Sequence, residues 1–137
     1  MHIYIMRHGQ AELMARSDSE RALTLLGRFE SEIMAAHLAE NNLSFDAALL
    51  SPYLRAQQTW ESVRPFFGEV ENVQTMKFLT PCGSVRKSMD EILALQVSGV
   101  ENLLIVSHLP LVGYITGELA PDAGVPAFAT SSVAHVE

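Results

Sequence analysis

Short apolar runs that alternate with longer segments of helical period constrain the fold of this chain more than any other feature. Ile3-Tyr4-Ile5-Met6, Ala47-Ala48-Leu49-Leu50 and Leu103-Leu104-Ile105-Val106-Ser107 are too short for helices and free of charge, as strands covered on both faces are. A weaker extended piece is expected over Val73–Phe78, and a last strand over Ser132–Val136. Between them, Thr24 is placed to cap a helix over roughly Leu25–Glu40, with Leu26, Phe29, Ile33, Met34 and Leu38 at helical spacing. Ser51-Pro52 predicts a cap and first helical position for a helix running towards Val63. A third helix is expected over Ser84–Val97 and a fourth from Pro110 to near Leu119. Strand–helix alternation at these lengths predicts an α/β fold, a mainly parallel sheet with helices on both faces.

The chain of 137 residues suits one domain with a real core, and its 48% apolar content excludes disorder. No segment approaches the ~20 apolar residues that span a bilayer, and the start has neither the basic region nor the apolar length of a signal peptide. One cysteine, Cys82, excludes an internal disulfide, so a cytoplasmic location is expected. Nine basic against sixteen acidic residues, net charge −7, disfavour nucleic-acid binding. An anionic ligand must then be drawn by a local basic site against the overall field.

Three strand ends carry the residues that could make such a site. Arg7-His8-Gly9 follows the first strand, Ser51 and Arg55 follow the second, and Ser107-His108 close the strand at 103–107. In a parallel sheet these ends share one rim, where ligands of open α/β sheets bind. Two arginines and two histidines in a small volume suit an oxyanion such as phosphate, since phosphoryl transfer is mostly positioning and charge stabilisation. One histidine with an unprotonated nitrogen can attack phosphorus, and a protonated second would add charge and a donor. Gly9 is read as allowing close approach of backbone and ligand. This chemistry needs neither a metal nor a cofactor.

Five stretches carry a family resemblance: Ile5-Met6-Arg7-His8-Gly9; Asp18-Ser19-Glu20-Arg21-Ala22-Leu23-Thr24 with Gly27; Ser51 through Thr59; Leu79-Thr80-Pro81-Cys82-Gly83; and Val106 through Gly113. Together, and in this order, they resemble the histidine phosphatase superfamily, which also contains the cofactor-dependent phosphoglycerate mutases. More closely, they resemble its small SixA-type branch of protein phosphohistidine phosphatases. The resemblance implies a three-layer α/β/α sandwich of phosphoglycerate mutase-like architecture, as a single domain over residues 1–137. It implies that His8 becomes transiently phosphorylated, that Arg7 and Arg55 clamp phosphate, and that His108 is the second histidine. Arg21 and Asp18 match the branch's Asp-x-x-Arg element and are expected to bind substrate, although Ala22 stands where the pattern has proline. Relatives continue into a further strand, so a C-terminal strand is expected to be missing after His135-Val136-Glu137.

One departure narrows the expected substrate. Many superfamily members carry a carboxylate general acid after the third strand; Phe78–Gly83 contains none. An alkoxide leaving group needs a proton, so monoester hydrolysis is expected to be slow. The imidazole of phosphohistidine, protonated at its other nitrogen, departs neutral. The expected partner is therefore a phosphohistidine protein, such as a phosphotransfer (HPt) domain of a phosphorelay or a phosphotransferase-system carrier, with no nucleic acid and no membrane. A small phosphomonoester or phosphoramidate substrate, or a noncatalytic phosphate-binding module, are the competing readings.

The remaining candidates read as structural. His2, His37 and His135 have no metal-ligand partner at a useful sequence spacing. Cys82 lacks the arginine six residues on that cysteine-dependent phosphatases use; position 88 is Ser. It is expected to be a turn or core thiol. Gln57, Gln58 and Thr59 are expected to fix their helix, Ser51 and Ser107 to cap or support, and Met6, Met14, Met34, Met76 and Met89 to fill the core. No apolar interface stripe stands out, which predicts a monomer.

Overall fold

The computed structural model describes all of residues 1–137. Its strands are β1 (His2–Arg7), β2 (Ala47–Leu50), β3 (Asn72–Thr75), β4 (Asn102–Ser107) and β5 (Val133–Val136). They form one five-stranded sheet in the order β3-β2-β4-β1-β5. The first four are mutually parallel, and β5 runs antiparallel to β1 at the edge. Helices α1 (Leu25–Ala39) and α2 (Leu54–Val63) cover one face, and α3 (Val85–Val97) and α4 (Leu111–Leu119) the other.

Strand alternation sorts the core into two halves. Ile3, Ile5, Ala47, Leu49, Leu103 and Ile105 pack against Ile92, Leu95, Leu111 and Ile115 of α3 and α4. Met6, Ala48, Leu50, Leu104 and Val106 pack against Ala35, Ala56, Trp60 and Val63 of α1 and α2, with Phe45 and Phe67. The central strands are buried on both sides, so their residues are apolar without a break.

The inward face of α1 differs from the expected one. Leu26, Phe29 and Ile33 are 52%, 59% and 54% exposed, while Gly27, Ser31 and Ala35 are buried. Leu38 and Met34 are half-buried on the inward side as expected, and Leu38 packs against the core. The loop at residues 8–10 crosses directly over α1: a Cβ on Gly9 would meet the Gly27 carbonyl and Ser31 Oγ, and one on Gly27 would meet the Gln10 backbone. Only small residues permit that approach, so steric demand outweighs hydrophobicity in setting the helix phase. Gly9 is thus required by helix contact. The exposed row Leu25, Leu26, Phe29 and Ile33 also overturns the expectation that no apolar stripe would stand at the surface.

Three local expectations shift as well. Helix α2 begins at Leu54 after an extended Tyr53, and Ser51 and Pro52 lie before it. The extended piece after β2 is a strand only over Asn72–Thr75, giving way to a short 3-10 turn at Lys77–Leu79. Met14 is exposed rather than in the core, while Cys82 is an exposed thiol in a turn, the first of the two places expected for it. No helix is long and apolar enough to cross a membrane.

Candidate active site

Strand register assembles the site. Arg7 pairs with Ser107 and Leu50 with Val106, so the residues that follow each strand meet on one rim. The ladder continues past the strands: His8 N–H donates to Ser107 O at 3.0 Å, and Ser51 N–H to Val106 O at 3.0 Å. His8 and His108 consequently lie with ring centroids 4.9 Å apart. Arg55 enters from the first turn of α2, and its Nε donates towards His8 Nε2 at 3.4 Å.

These groups are buried despite their polarity: His8 is 7% exposed, Arg55 4% and His108 1%. Burial above all lowers the His8 imidazole to about 4; the Gly9 carbonyl opposes this, and the Arg55, Arg7 and Arg21 charges add to it. His108 falls to about 3, through burial first and then His8 and Arg55. Both rings are therefore neutral at pH 7. A protonated His108 supplying positive charge, as weighed from the sequence, does not hold in the site without an anion.

Hydrogen bonds orient the neutral rings. His8 Nδ1 lies 2.7 Å from the Gly9 carbonyl, which can only accept. The single ring proton is thereby placed on Nδ1, leaving Nε2 unprotonated with its lone pair towards Arg55 Nε. Gly9 itself is tied down by its N–H to Thr59 Oγ1 at 3.0 Å, while that hydroxyl donates to the Arg55 carbonyl at 2.7 Å. One threonine thus couples the histidine loop to the arginine helix. His108 Nε2 lies 2.6 Å from Ser51 Oγ, which also accepts the Tyr53 N–H. His108 Nδ1 has no protein partner; when the Ser51 hydroxyl donates to Nε2, the neutral ring presents an N–H at that position. Arg7 Nη1 donates to the Phe128 carbonyl at 2.9 Å, yet its buried Nε also lacks a protein partner.

Asp18 organises the cations. It lies in a 3-10 turn at Asp18–Glu20 and accepts from Arg55 Nη2 at 3.1 Å and Arg21 Nη1 at 3.0 Å. Its backbone carbonyl accepts from Arg55 Nη1 at 2.6 Å, and Arg21 Nε donates to the Glu12 carbonyl at 2.6 Å. Hydrogen bonds from Arg21 and then Arg55 hold the Asp18 carboxyl below the usual carboxylate range. An ionised carboxylate repels phosphate, so the geometry makes Asp18 a holder of two arginines rather than an anion ligand. It also cannot lend a proton at neutral pH.

All six residues singled out from the sequence converge here. Ser51, expected to cap or support, supports His108, and Thr59, expected to fix its helix, does so while also holding Gly9; Tyr53 and the Phe128 carbonyl complete the set without a part expected from the sequence. Tyr53 packs edge-on to His108 with centroids 5.1 Å apart, and the Arg55 guanidinium lies 5.1 Å from the same ring. Its position beside Ser51 and Arg55 was the available signal; the Phe128 contact, 121 residues from Arg7, left none.

Sheet order, site and sequence agree on the class: the model of the histidine phosphatase superfamily (branch 1) matches residues 3–80, and the chain belongs to that family. Within it, the chain is 43% identical to phosphohistidine phosphatase SixA of Escherichia coli (strain K12), over 99% of this chain and 84% of that one. It is 39% identical to the phosphohistidine phosphatase SixA homolog of Haemophilus influenzae, over 99% of this chain and 87% of that one. The solved structure of the protein histidine phosphatase SixA complexed with tungstate superposes with a TM-score of 0.97, at 43% identity, covering 100% of this chain and 88% of that chain.

Proposed function

We propose that this chain is a phosphohistidine phosphatase working through a phosphorylated His8. The observation that carries the reading is an unprotonated imidazole nitrogen, His8 Nε2, set beside the buried Arg55 guanidinium, with two further buried nitrogens, Arg7 Nε and His108 Nδ1, that have no protein partner. Leaving a buried donor unpaired costs about 1–3 kcal/mol. An incoming tetrahedral oxyanion removes that cost, and the SixA relative was solved with one, tungstate.

In the first step His8 Nε2 attacks phosphorus in line; the new P–N bond forms as the bond to the substrate's imidazole breaks. Arg7, Arg55 and His108 hold the equatorial oxygens, where charge is spread in the transition state. The leaving imidazole keeps the proton on its other nitrogen and departs neutral. Water then attacks phosphorus, inorganic phosphate leaves, and His8 is restored. No step needs a carboxylic acid, in keeping with the acid-free Phe78–Gly83 segment and with the ionised Asp18. Arg21 supports Asp18 and contributes positive charge at the rim.

Phosphorelay or phosphocarrier proteins are the proposed substrates, since a site on an exposed strand rim suits a phosphoryl group presented by another protein. The free, exposed thiol of Cys82 fits a reducing compartment, the cytoplasm. The test is phosphate release from a phosphohistidine-bearing HPt domain or phosphocarrier. The chain should release it, and His8→Ala should not. Full activity of that variant, or a strong preference for an aryl phosphate, overturns the proposal.

A further inference from the structure

Antiparallel pairing of β5 with β1 brings together residues from the two ends of the chain. Tyr4 faces His135 across the ladder, and the same register continued by one residue sets Glu137 opposite His2. Residues 2, 4, 135 and 137 then share one face of the sheet, because side chains alternate along a strand. On that face His2 Nδ1 lies 2.9 Å from His135 Nε2, and 3.9 Å from Glu137 Oε1. One ligand atom from each of the three residues falls within a sphere where all are within 4.8 Å of one another. Nothing near His2 in sequence could share a ligand with it; its partners stand across the strands.

We propose that His2, His135 and Glu137 form a surface site for a divalent transition-metal ion of the zinc type. Two imidazoles and one carboxylate are the donors such ions take, with a fourth position left to water. A tetrahedral ion about 2.0–2.1 Å from each nitrogen sets the two nitrogens about 3.3 Å apart. The rings already stand within a few tenths of an ångström of that spacing. Their contact keeps a proton between Nδ1 of His2 and Nε2 of His135. Moving it to the far nitrogen of the ring that carries it frees both lone pairs for the ion, with no change in net proton count. Tyr4 lies flat against His135, with centroids 4.2 Å apart and planes 5° from parallel, so that imidazole is oriented before the ion arrives. Preorganisation of this kind lowers the entropy cost of binding.

The site is separate from the phosphoryl centre. His2 begins β1 and His8 follows its end, about 20 Å away at the rise of a strand. An ion held there would clip the edge strand β5 to β1. Its expected effect is on stability rather than on the chemistry at His8.

Titrating zinc chloride into the whole chain, with a chromophoric chelator as competitor, should show one saturable equivalent and a rise in Tm that grows with free zinc. His2→Ala and His135→Ala should each weaken binding at least tenfold and remove the Tm rise. Glu137→Gln should weaken it by less, while His8→Ala, which alters the other pair of histidines, should leave it unchanged. His2→Ala keeps the ring stacked on Tyr4, so it reports on ligation even where His135→Ala destabilises the sheet edge. Undiminished binding in His2→Ala, loss of binding in His8→Ala, or no saturable binding to the unaltered chain overturns the proposal.

Discussion

At the scale of single residues, the site works through the placement of protons. His8 is a nucleophile candidate because the Gly9 carbonyl holds its proton on Nδ1 and burial lowers the ring to about 4. The reactive form is the neutral one, so kcat/KM should hold constant as pH falls through 6.5, where an ordinary histidine would protonate, and decline only towards pH 4. A pH–rate profile that falls near 6.5 contradicts this assignment. Arg55→Ala should lower kcat by about a hundredfold to a thousandfold, the scale of losing one positioned donor to the transition state. Asp18→Asn leaves both arginines charged and bound to backbone carbonyls but removes the carboxylate that holds Arg55 Nη2 and Arg21 Nη1. A displacement of about 1 Å in a positioned group costs up to about a hundredfold, so kcat/KM should drop while the variant stays folded. An unchanged kcat/KM would show that Asp18 positions nothing. Most of these residues were legible in the sequence, because Arg-His-Gly and Ser-Pro-x-x-Arg are local patterns at strand ends. The coupling through Thr59, which ties Gly9 to the Arg55 carbonyl, was not. It joins residues 50 apart and follows no period.

At the scale of elements, helix α1 shows how a correct period can carry a wrong phase. Its apolar residues recur at helical spacing, yet the buried row is Gly27, Ser31 and Ala35. Substituting Phe29→Ser or Ile33→Ser should therefore change stability by no more than about 0.5 kcal/mol, as at ordinary surface positions. Ala35→Leu should destabilise by about 1–3 kcal/mol through overpacking. Chemical denaturation measures both, and the reverse ranking would contradict the observed phase. Gly9→Ala should be costly on the same grounds, since its Cβ would press on the Gly27 carbonyl and Ser31 Oγ and displace His8 from the rim. The strands were read more reliably than the helix face. Strands covered on both sides show an unbroken apolar run whichever way they turn, whereas a helix must declare one face.

At the scale of the molecule, two neutral histidines buried beside arginines make the fold sensitive to acid. Each has a lower pKa in the folded chain than the ordinary value of 6.5, so the unfolded chain binds more protons below that point. Stability should be greatest above about pH 6.5. It should fall as pH drops from there through about 4 for His8 and about 3 for His108, with a slope up to about 1.4 kcal/mol per pH unit for each ring. Denaturant unfolding measured across that window tests the sign. His108→Gln should flatten the curve, and a stability maximum below pH 5 would contradict it.

Architecture and chemistry were written in the sequence by itself: which segments are strand or helix, that the sheet is mainly parallel, and that arginine and histidine stand at strand ends. Backbone geometry imposes periods of 2 and 3.6 on any chain, and the side chains of a single segment display them. Only the tertiary structure decided the phase of α1, the tautomer of His8, the pairing of Asp18 with two arginines, and the meeting of His2 with His135 and Glu137. Each of these depends on how closely separate segments approach and in what register, and no segment carries that distance within itself.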